Sequence, residues 1–495
     1  MRISRRQFIG TASAAVVTPA LIGRAIAATG GRDLPIPDVL DLRGGGGAPT
    51  LDAMAARTSI MEGAKSVTVG YGQGFLGPVI RMNRGETAQL NLGNKIKEAV
   101  SVHWHGMHID GRQDGGPHSP IAPNEVLKAA LDIDQPAATL WYHSHIHQRT
   151  GIQVYYGLAG MLIIDDPNAA DSGLPQTYGV DDIPLVVQDR VFDRGGQMLY
   201  APQGPTRMMG YRGSEILVNG MIRPRASVPA GMVRLRILNG SNARIYHFGF
   251  EDGRGFHQVA SEGGLLPAPV AMNTLTLAPA ERAEIVVDFS AGATRLLSAP
   301  DTNMGMMGGG MMGGMMRGAS PKAVADGGVF EVMSFAVDNS RTAPVTTLAK
   351  TLAGAPIPEF GDPVRRRRFA LNMMPGGMGM GMMRGGGSMA INGDSMDMSV
   401  INQELNIGEA EIWEVSADMM AHPFHVHGTS FQVLSKNGRK VDYTKTGLKD
   451  VVLVDGTAEL LVQVNRKADA NQPFMFHCHI LEHEDLGMMG QFTVG

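Results

Sequence analysis

The chain has 495 residues, a length that suits about three domains at the usual prior of roughly 150 residues each. Its 43 Lys and Arg against 47 Asp and Glu give a formal net charge of −4, which argues against a nucleic-acid-binding surface. A single cysteine excludes an intrachain disulfide, and no apolar run is long and unbroken enough to span a membrane. The composition therefore predicts a multidomain protein with no nucleic-acid partner and no membrane span.

The amino terminus has the pattern of an export signal. Ser4-Arg5-Arg6-Gln7-Phe8 precedes a modest apolar stretch over residues 12–27 that ends in Ala25-Ile26-Ala27. This arrangement resembles a twin-arginine signal with its cleavage site. Residues 1–28 are therefore predicted to engage the twin-arginine export machinery and to send the mature protein to the periplasm.

The remaining chain reads as β-structure. The 65 Gly and 28 Pro imply many turns, and long amphipathic helical stretches are scarce. Short strand-like runs recur between the turns, at residues 66–69, 87–92, 161–164, 185–188, 233–238, 283–289 and 459–464. This pattern favours an all-β fold of Greek-key sandwiches or barrels.

Three domains are predicted, at residues 34–168, 176–339 and 365–495. Residues 340–364 are rich in Pro, Ala and Thr and are predicted to form a linker. A run of four arginines, Arg365 to Arg368, opens the third domain. We interpret it as a solvated face or as anchors for acidic neighbours, because the net charge does not favour a nucleic-acid site.

Ten of the 15 histidines lie in four short clusters. The clusters are His103-Trp104-His105, His143-Ser144-His145, His422-Pro423-Phe424-His425-Val426-His427, and His477-Cys478-His479 with His483. Each contains a pair separated by one residue, and on a β-strand such a pair shares a face and can hold metal jointly. The same alternation would turn Cys478 to the opposite face, so that one tripeptide contacts two metal centres.

The last cluster predicts a copper site. It places the only cysteine among three histidines, with Met488 ten residues after it. One thiolate, imidazoles and a weak thioether suit a blue-copper electron-transfer centre. Zinc could bind the same ligands but could not change its oxidation state.

The motifs H-W-H-G, W-Y-H-S-H, H-P-F-H-V-H-G and H-C-H-I-L-E-H-E-D-L-G-M resemble the four copper motifs of multicopper oxidases, in the same order and over roughly residues 45 to 495. The resemblance implies three cupredoxin domains, a trinuclear site between the first and third, and four copper ions. The implied ligands are His422, Cys478, His483 and axial Met488 for the type 1 copper, His103 and His425 for the type 2 copper, and His105, His143, His145, His427, His477 and His479 for the type 3 pair.

The resemblance also implies a mechanism. Single electrons would enter at the type 1 copper, cross Cys478 to His477 and His479, and reduce dioxygen to water at the trinuclear site. Asp114 and Glu484 match the positions at which the family places its proton-supplying carboxylates. Taken alone, a carboxylate after a strand is more often simply solvated.

Two glycine-rich segments carry many of the 34 methionines, residues 304–316 and 373–398. Thioether sulfur prefers Cu(I), and glycine lets a backbone fold several sulfurs around one ion. The segments could therefore hold additional labile copper. The alternative is a flexible, oxidation-prone loop.

A narrower resemblance points to periplasmic cuprous oxidases of the bacterial copper-efflux type. Those enzymes use a methionine of the rich segment together with an aspartate and a methionine before the type 1 histidine, and Met373, Asp418 and Met420 match these positions. A second aspartate in those enzymes is replaced by Met378, a further candidate ligand. The implied function is oxidation of Cu(I) to Cu(II) coupled to dioxygen reduction, in copper tolerance, by a monomer.

Two other functions stay open at this stage. A laccase-like enzyme would oxidise phenols or aromatic amines at the edge of the type 1 site. A non-enzymatic role would follow the relatives that have lost their copper ligands and act as structural proteins of cell division, but every ligand position is intact here.

Overall fold

The fold is nearly all β, with 49% strand and 6% helix, in agreement with the all-β prediction. The computed structural model describes residues 31–301, 328–373 and 389–495. The predicted export signal, the methionine-rich segment 304–316, most of the segment 373–398 and Met378 lie outside the described residues. Each of the seven predicted strand runs overlaps an observed strand.

The first two sheets use only residues of the predicted first domain, and each has four strands among the described residues. One has the order β1 Val39–Asp41, β4 Val79–Asn83, β8 Ala159–Asp165, β7 Ala138–His143. The other has the order β3 Ser66–Tyr71, β2 Thr50–Thr58, β5 Thr87–Asn94, β6 Val126–Asp132.

The next two sheets follow in the chain. The described part of the larger has the order β12 Met221–Ile222, β11 Glu215–Val218, β9 Asp182–Phe192, β14 Met232–Asn239, β19 Arg282–Asp288, β16 Phe256–Ser261, β17 Gly264–Met272, with β10 Met198–Leu199 beside β9. The smaller has the order β13 Arg225–Ala230, β21 Phe330–Thr342, β20 Thr294–Ala299, β15 Tyr246–Phe250, β18 Leu275–Leu277. Strand β21 ends three residues past the predicted boundary at 339.

The fifth sheet contains the strands after residue 364. Its order is β24 Gln403–Leu405, β30 Met489–Val494, β29 Phe474–Cys478, β25 Ala410–Val426, β28 Val451–Gln463, β26 Gln432–Lys436, β27 Arg439–Lys440. Strand β22 Arg365–Met373 pairs with both β25 and β23 Met389–Ile391.

The described helices are short and lie in connections between strands. They are α1 Gly111–Asp114, α2 Thr150–Tyr156, α3 Pro205–Met208, α4 Tyr443–Thr446 and α5 Leu481–Asp485, with a 3-10 turn at Pro167–Ala169. None of them has the length and apolarity that a membrane span needs.

The four arginines that open the third predicted domain begin β22, and Arg366, Arg367 and Arg368 meet carboxylates on neighbouring strands. Arg367 Nε lies 2.5 Å from Glu411 Oε2, and Arg366 Nη1 lies 2.5 Å from Glu459 Oε1. The interpretation of this run as an anchor for acidic neighbours is therefore confirmed.

Each of the three predicted domains, called segments below, is centred on an apolar core of its own. A fourth core contains residues from all three. Apolar burial is the main favourable term in folding, so this shared core holds the segments in fixed relative positions. Its members include Trp141 and Tyr155 from the first segment, Leu217 and Leu238 from the second, and Val451 and Leu481 from the third.

A buried ion network also links the first two segments. Arg236 on β14 donates to Asp182 and to Glu284 Oε1 at 2.8 Å, and Arg234 pairs with the same glutamate. Thr139 on β7 donates to Glu284 Oε1 at 2.6 Å, which ties the first segment to the network. Burial raises the pKa of the Glu284 carboxyl, but Arg234 and Arg236 outweigh it and lower the pKa to about 2.

Replacing Glu284 by Gln should lower the free energy of unfolding by about 3–5 kcal/mol, because the buried Arg234 loses its counter-charge and Arg236 keeps only Asp182. Since the folded-state pKa lies below the ordinary 4.5, this stabilisation is present above pH 4.5 and disappears as the pH falls towards about 2. Chemical denaturation followed by circular dichroism at pH 7 and pH 3 measures both effects.

Glu251→Gln is the matched control, because Glu251 pairs with Arg295 at a partly exposed position. Such a surface pair contributes about 0–1 kcal/mol. Equal losses in the two variants would contradict a stabilising role for the buried network.

Candidate metal centres

Three side chains from the third predicted domain meet at a buried sulfur. Strand β25 carries His422, β29 ends at Cys478, and α5 carries His483. Cys478 Sγ lies 3.4 Å from His422 Nδ1 and 3.7 Å from His483 Nδ1, and the two ring nitrogens are 3.2 Å apart. One sulfur and two imidazole nitrogens thus face a common point.

The His483 ring is held with its Nδ1 facing the sulfur. His483 Nε2 donates to the backbone carbonyl of Met208 at 2.8 Å, which leaves Nδ1 to face the sulfur. Burial lowers the pKa of His483 to about 4 and that of His422 well below its ordinary value, so both imidazoles are neutral at pH 7, as metal ligands must be.

Met488 lies beside the same three residues. Cys478 N–H donates to the Met488 carbonyl at 3.0 Å, and Met488 N–H donates to the His483 carbonyl at 2.9 Å. The Met488 side chain is fully buried in the core cluster that contains Cys478. Its role as the axial ligand stays a prediction.

The chemistry of this donor set fits copper. Burial raises the pKa of the Cys478 thiol far above its ordinary value, so a thiolate at this place needs a cation to stabilise it. A metal supplies that charge and deprotonates the thiol. Sulfur with two imidazoles and a nearby thioether is the set that suits a copper ion exchanging one electron.

Eight further histidines form a second buried group between the first and third predicted domains. His145 Nε2 and His427 Nε2 lie 3.3 Å and 3.2 Å from His477 Nε2, so these three rings converge on one point. The rings of His105, His143 and His479 form a second triangle, with centroids 5.0 to 5.7 Å apart. The remaining pair, His103 and His425, has ring centroids 6.0 Å apart.

The paired histidines lie at strand ends, so the expectation of pairs on strands is met only by the first members of three pairs, His143, His425 and His477. His143, Val426 and Cys478 are the last residues of their strands, so His145, His427 and His479 lie just beyond the strand ends, and His103 forms only an isolated bridge to His143. Both rings of each pair nevertheless belong to this group, with centroids 4.9 to 5.7 Å apart within a pair. Gly106, which follows His105, takes a left-handed φ of 87°.

Several ring nitrogens in this group are buried without a hydrogen-bond partner among the described residues. They are His103 Nε2, His105 Nδ1, His143 Nε2, His425 Nε2 and both nitrogens of His479. Unsatisfied buried polar atoms are costly, and together they mark where a ligand belongs. The residues therefore fit a cluster of copper ions bound through imidazole nitrogen.

The opposite nitrogens of the same rings are anchored by the protein. His103, His143 and His425 donate from Nδ1 to backbone carbonyls at 2.7 to 2.9 Å. His427 Nδ1 donates to Asp114 Oδ2 at 2.8 Å. Outer hydrogen bonds of this kind fix the tautomer and orientation of metal-binding imidazoles.

Asp114 and Glu484, the two predicted acids, both contact this group. Asp114 Oδ2 also lies 3.3 Å from His103 Nδ1, so one carboxylate touches two rings. Glu484 Oε1 lies 3.4 Å from His145 Nδ1, and its Oε2 lies 3.3 Å from His477 Nδ1. Burial, and then the neighbouring Asp485, raise the pKa of Glu484 well above its ordinary value.

The sequence reasoning missed Asp450 and Arg282. Asp450 Oδ1 accepts from His105 Nε2 at 3.1 Å, and its backbone carbonyl accepts from His425 Nδ1 at 2.7 Å. Arg282, on β19 of the second predicted domain, donates to both carboxylate oxygens at 2.7 and 2.6 Å. No sequence motif predicts either residue, because 168 positions of chain separate them.

The second predicted domain helps to orient ligands that the other two domains supply. It supplies no histidine to the two groups, but Arg282 fixes the carboxylate that orients His105. It also supplies the Met208 carbonyl that orients His483.

The tripeptide His477-Cys478-His479 touches both centres. Cys478 Sγ faces His422 and His483, whereas the two flanking rings lie in the eight-histidine group. One peptide bond joins Cys478 to each flanking histidine. The two centres are thus connected by a short covalent path for electrons.

The predicted substrate residues lie next to the sulfur-centred site. The register of β25 against β28 shifts between Ala417 and His422, so Asp418 to Ala421 bulge out of the strand. Asp418 is exposed, Met420 is buried, and Met419 between them has a left-handed φ of 68°. Met373 ends β22, two residues beyond Leu371, which pairs with Ala417.

Comparison with known proteins identifies the family. Family models described as multicopper oxidase match residues 53–169 and 370–495. The chain is 34% identical to cell division protein FtsP of Xenorhabdus nematophila, over all of this chain and 99% of that protein. It is 32% identical to multicopper oxidase mco of Staphylococcus aureus, over 94% and 93% of the two chains.

Solved structures agree. The laccase-like multicopper oxidase CueO from lignin-degrading Ochrobactrum sp., which has oxidase activity towards lignin model compounds and lignosulfonate, superposes with a TM-score of 0.82 at 39% identity. The match covers 93% of this chain and all of that one. The chain therefore belongs to the multicopper oxidase family of copper-binding oxidoreductases.

Proposed function

We propose that this protein is a cuprous oxidase that couples the oxidation of Cu(I) to Cu(II) to the four-electron reduction of dioxygen to water, and that it serves copper tolerance in the periplasm. The observation that carries the proposal is the bulge at Asp418 to Ala421, which presents a carboxylate and a thioether directly before His422. The periplasmic location rests on the twin-arginine pattern of residues 1–28.

Four coppers would complete the enzyme, and when bound they supply one-electron acceptance at the type 1 site and dioxygen reduction at the trinuclear site. His422, Cys478, His483 and Met488 would hold the first. His103 and His425 would hold the type 2 ion, and His105, His143, His145, His427, His477 and His479 the type 3 pair. The two ring triangles divide the type 3 ligands into His105, His143, His479 and His145, His427, His477.

Soft ligands near the type 1 site favour Cu(I) as the substrate. Met373 and Met420 belong to the same buried cluster as Cys478 and Met488, and Met389 pairs with Met373 across β22 and β23. Thioethers prefer Cu(I), whereas the exposed Asp418 carboxylate offers the harder oxygen that Cu(II) accepts. This mixed set suits a site that binds one oxidation state and releases the other.

Proton supply would fall to the two carboxylates that touch the histidine group. Glu484 contacts the outer nitrogens of His145 and His477, so it can hold a proton beside the type 3 ligands. Asp114 contacts His103 and His427 on the other side. The geometry supports a role for each as a proton donor to reduced oxygen.

Oxidation of phenols and aromatic amines is the second candidate, and the similarity to the Ochrobactrum enzyme favours it. The two activities need not exclude each other, because both deliver single electrons to the same site. A structural role in cell division is suggested by the similarity to FtsP. Retention of all ten histidines, Cys478 and Met488 in two converging groups argues for turnover instead.

Replacing Met373, Asp418 and Met420 together by Leu, Asn and Leu should slow Cu(I)-dependent oxygen consumption by at least about tenfold, the lower end for losing groups around a metal site. Oxidation of a phenol should continue at a similar rate, because the type 1 ligands are untouched. An oxygen electrode measures both, with Cu(I) supplied from a weak chelator.

Met54→Leu is the matched control, since Met54 is an exposed methionine on β2, away from these residues. Unchanged Cu(I) turnover in the triple variant, alongside rapid phenol oxidation, would favour the laccase-like function. Wild-type protein that oxidises Cu(I) no faster than free copper in buffer would reject the cuprous oxidase.

Asp450→Asn should lower copper affinity or activity at the trinuclear site by about 10–100-fold, because the His105 ring loses its charged partner. Bound copper and the type 2 electron paramagnetic resonance signal report the change. The blue absorption of the type 1 copper should persist, since His422, Cys478 and His483 do not contact Asp450.

Asp442→Asn serves as the control for Asp450, because Asp442 is an exposed helix cap. A variant at position 450 that keeps full copper content and a normal type 2 signal would show that Asp450 does not position the ligands.

A further inference from the structure

We propose that residues 261–263, at the turn between β16 and β17 of the second segment, form a clamp that positions Asp450 and, through it, the trinuclear site. Asp450 contacts two of the implied copper ligands, His105 through its carboxylate and His425 through its backbone carbonyl. A displacement of the backbone at Asp450 would therefore disturb the outer partners of both rings.

The clamp holds the backbone just before Asp450. Ser261 Oγ donates to the Leu448 carbonyl at 2.7 Å, and Gly263 N–H donates to the same carbonyl at 2.9 Å. Leu448 lies two residues before Asp450, so these two donors from one turn fix the backbone that leads to the carboxylate.

The Glu262 side chain joins both partners of the Asp450 ion pair. Glu262 Oε1 accepts from Lys449 Nζ at 2.9 Å and from the Arg282 backbone N–H at 3.2 Å. Lys449 directly precedes Asp450, and Arg282 is the residue that donates to both Asp450 oxygens. Because Glu262 is fully buried, its charge-assisted bond to Lys449 is little weakened by solvent.

Gly263 allows the turn to approach this closely. A Cβ at Gly263 would lie 2.4 Å from Leu448 Cβ and 2.9 Å from the Leu448 carbonyl oxygen. Carbon atoms in contact are about 3.5–4.0 Å apart, so any larger residue at this position must push Leu448 away. The φ of Gly263 is not left-handed, so alanine would meet this steric contact without backbone strain.

The third segment supports the same stretch of chain with contacts of its own. Phe431 N–H donates to the Lys449 carbonyl at 2.7 Å, and Lys449 N–H donates to the Phe431 carbonyl at 2.9 Å. Residues 448–450 are thus held both by their own segment and by the turn of the second segment. We therefore expect loss of the clamp to shift Asp450 without unfolding the third segment.

Two variants test the clamp by different means. Gly263→Ala introduces the steric contact, and we expect it to weaken copper binding at the trinuclear site by about tenfold, the lower end for disturbing an outer partner of a metal ligand. Glu262→Gln keeps the side-chain shape but removes its charge. It should cause a smaller loss, because Lys449 keeps Glu281 as a counter-charge at 3.0 Å.

The measurements are copper content after dialysis against a competing chelator, the type 2 electron paramagnetic resonance signal and the near-ultraviolet absorption of the type 3 pair. The blue absorption of the type 1 copper should persist in both variants and shows that the third segment is folded. Full trinuclear copper with a normal type 2 signal in both variants would overturn the proposal. Loss of the blue absorption in parallel with the trinuclear copper would also overturn it.

Gly46→Ala is the matched control for Gly263→Ala, because no atom lies within 4 Å of a Cβ at Gly46. Glu251→Gln, at its partly exposed ion pair, is the control for Glu262→Gln. Both controls should keep the copper content and spectra of the wild type.

Combination with Asp450→Asn distinguishes positioning from general destabilisation. When two residues act through one network their effects are not additive, so Gly263→Ala should add less than about twofold to the copper loss of Asp450→Asn. Fully additive losses would show that the turn does not act through Asp450.

The clamp rests on the trinuclear copper site of the proposed function but not on the electron donor, because copper content and spectra are measured without turnover. Wild-type protein that holds its copper but does not oxidise Cu(I) would reject the cuprous oxidase and leave the clamp intact. Rapid Cu(I) oxidation by the wild type, with unchanged copper in both clamp variants, would reject the clamp alone.

Discussion

Eight imidazole rings from four separate chain segments are buried against one another. Several of their ring nitrogens have no hydrogen-bond partner among the described residues. Burial lowers the pKa of His105, His143, His145, His425, His427, His477 and His479, so protonation does not relieve the crowding. Buried polar atoms without partners are destabilising, and metal coordination is the interaction that removes this penalty. The surrounding structure holds these rings in place.

Two kinds of force keep them there. The shared apolar core fixes the three segments relative to one another, with Trp141 packed directly against the His143 ring at a centroid distance of 4.2 Å. Buried ionic contacts then set the orientation of single rings, as Arg282 does through Asp450. The second segment, which contributes no metal-binding histidine to the two groups, is therefore part of the machinery that orients them.

The sulfur-centred site is built differently, and in the proposed function it would exchange electrons with a donor outside. Its ligands come from one sheet and one short helix, and its surroundings contain the bulge at Asp418 to Ala421. Met420 of this bulge belongs to the same buried cluster as Cys478 and Met488. A thioether so placed fits a donor that is itself a soft metal ion.

The sequence alone determined the features that depend on local chemistry. The histidine clusters, the cysteine between two histidines and the alternating strand runs are readable because ligand type and short spacing are properties of neighbouring residues. The strand runs are confirmed, and the structure brings the predicted ligands into two groups, although their assignment to individual coppers stays a prediction.

Only the tertiary structure decided how those clusters meet. The histidine pairs lie at strand ends, and the two rings of a pair belong to different parts of the eight-histidine group, as His143 and His145 do. Asp450 and Arg282 carry no recognisable motif, since their importance comes from partners more than a hundred residues away. Local spacing cannot encode such contacts, which exist only after apolar burial has brought the three segments together.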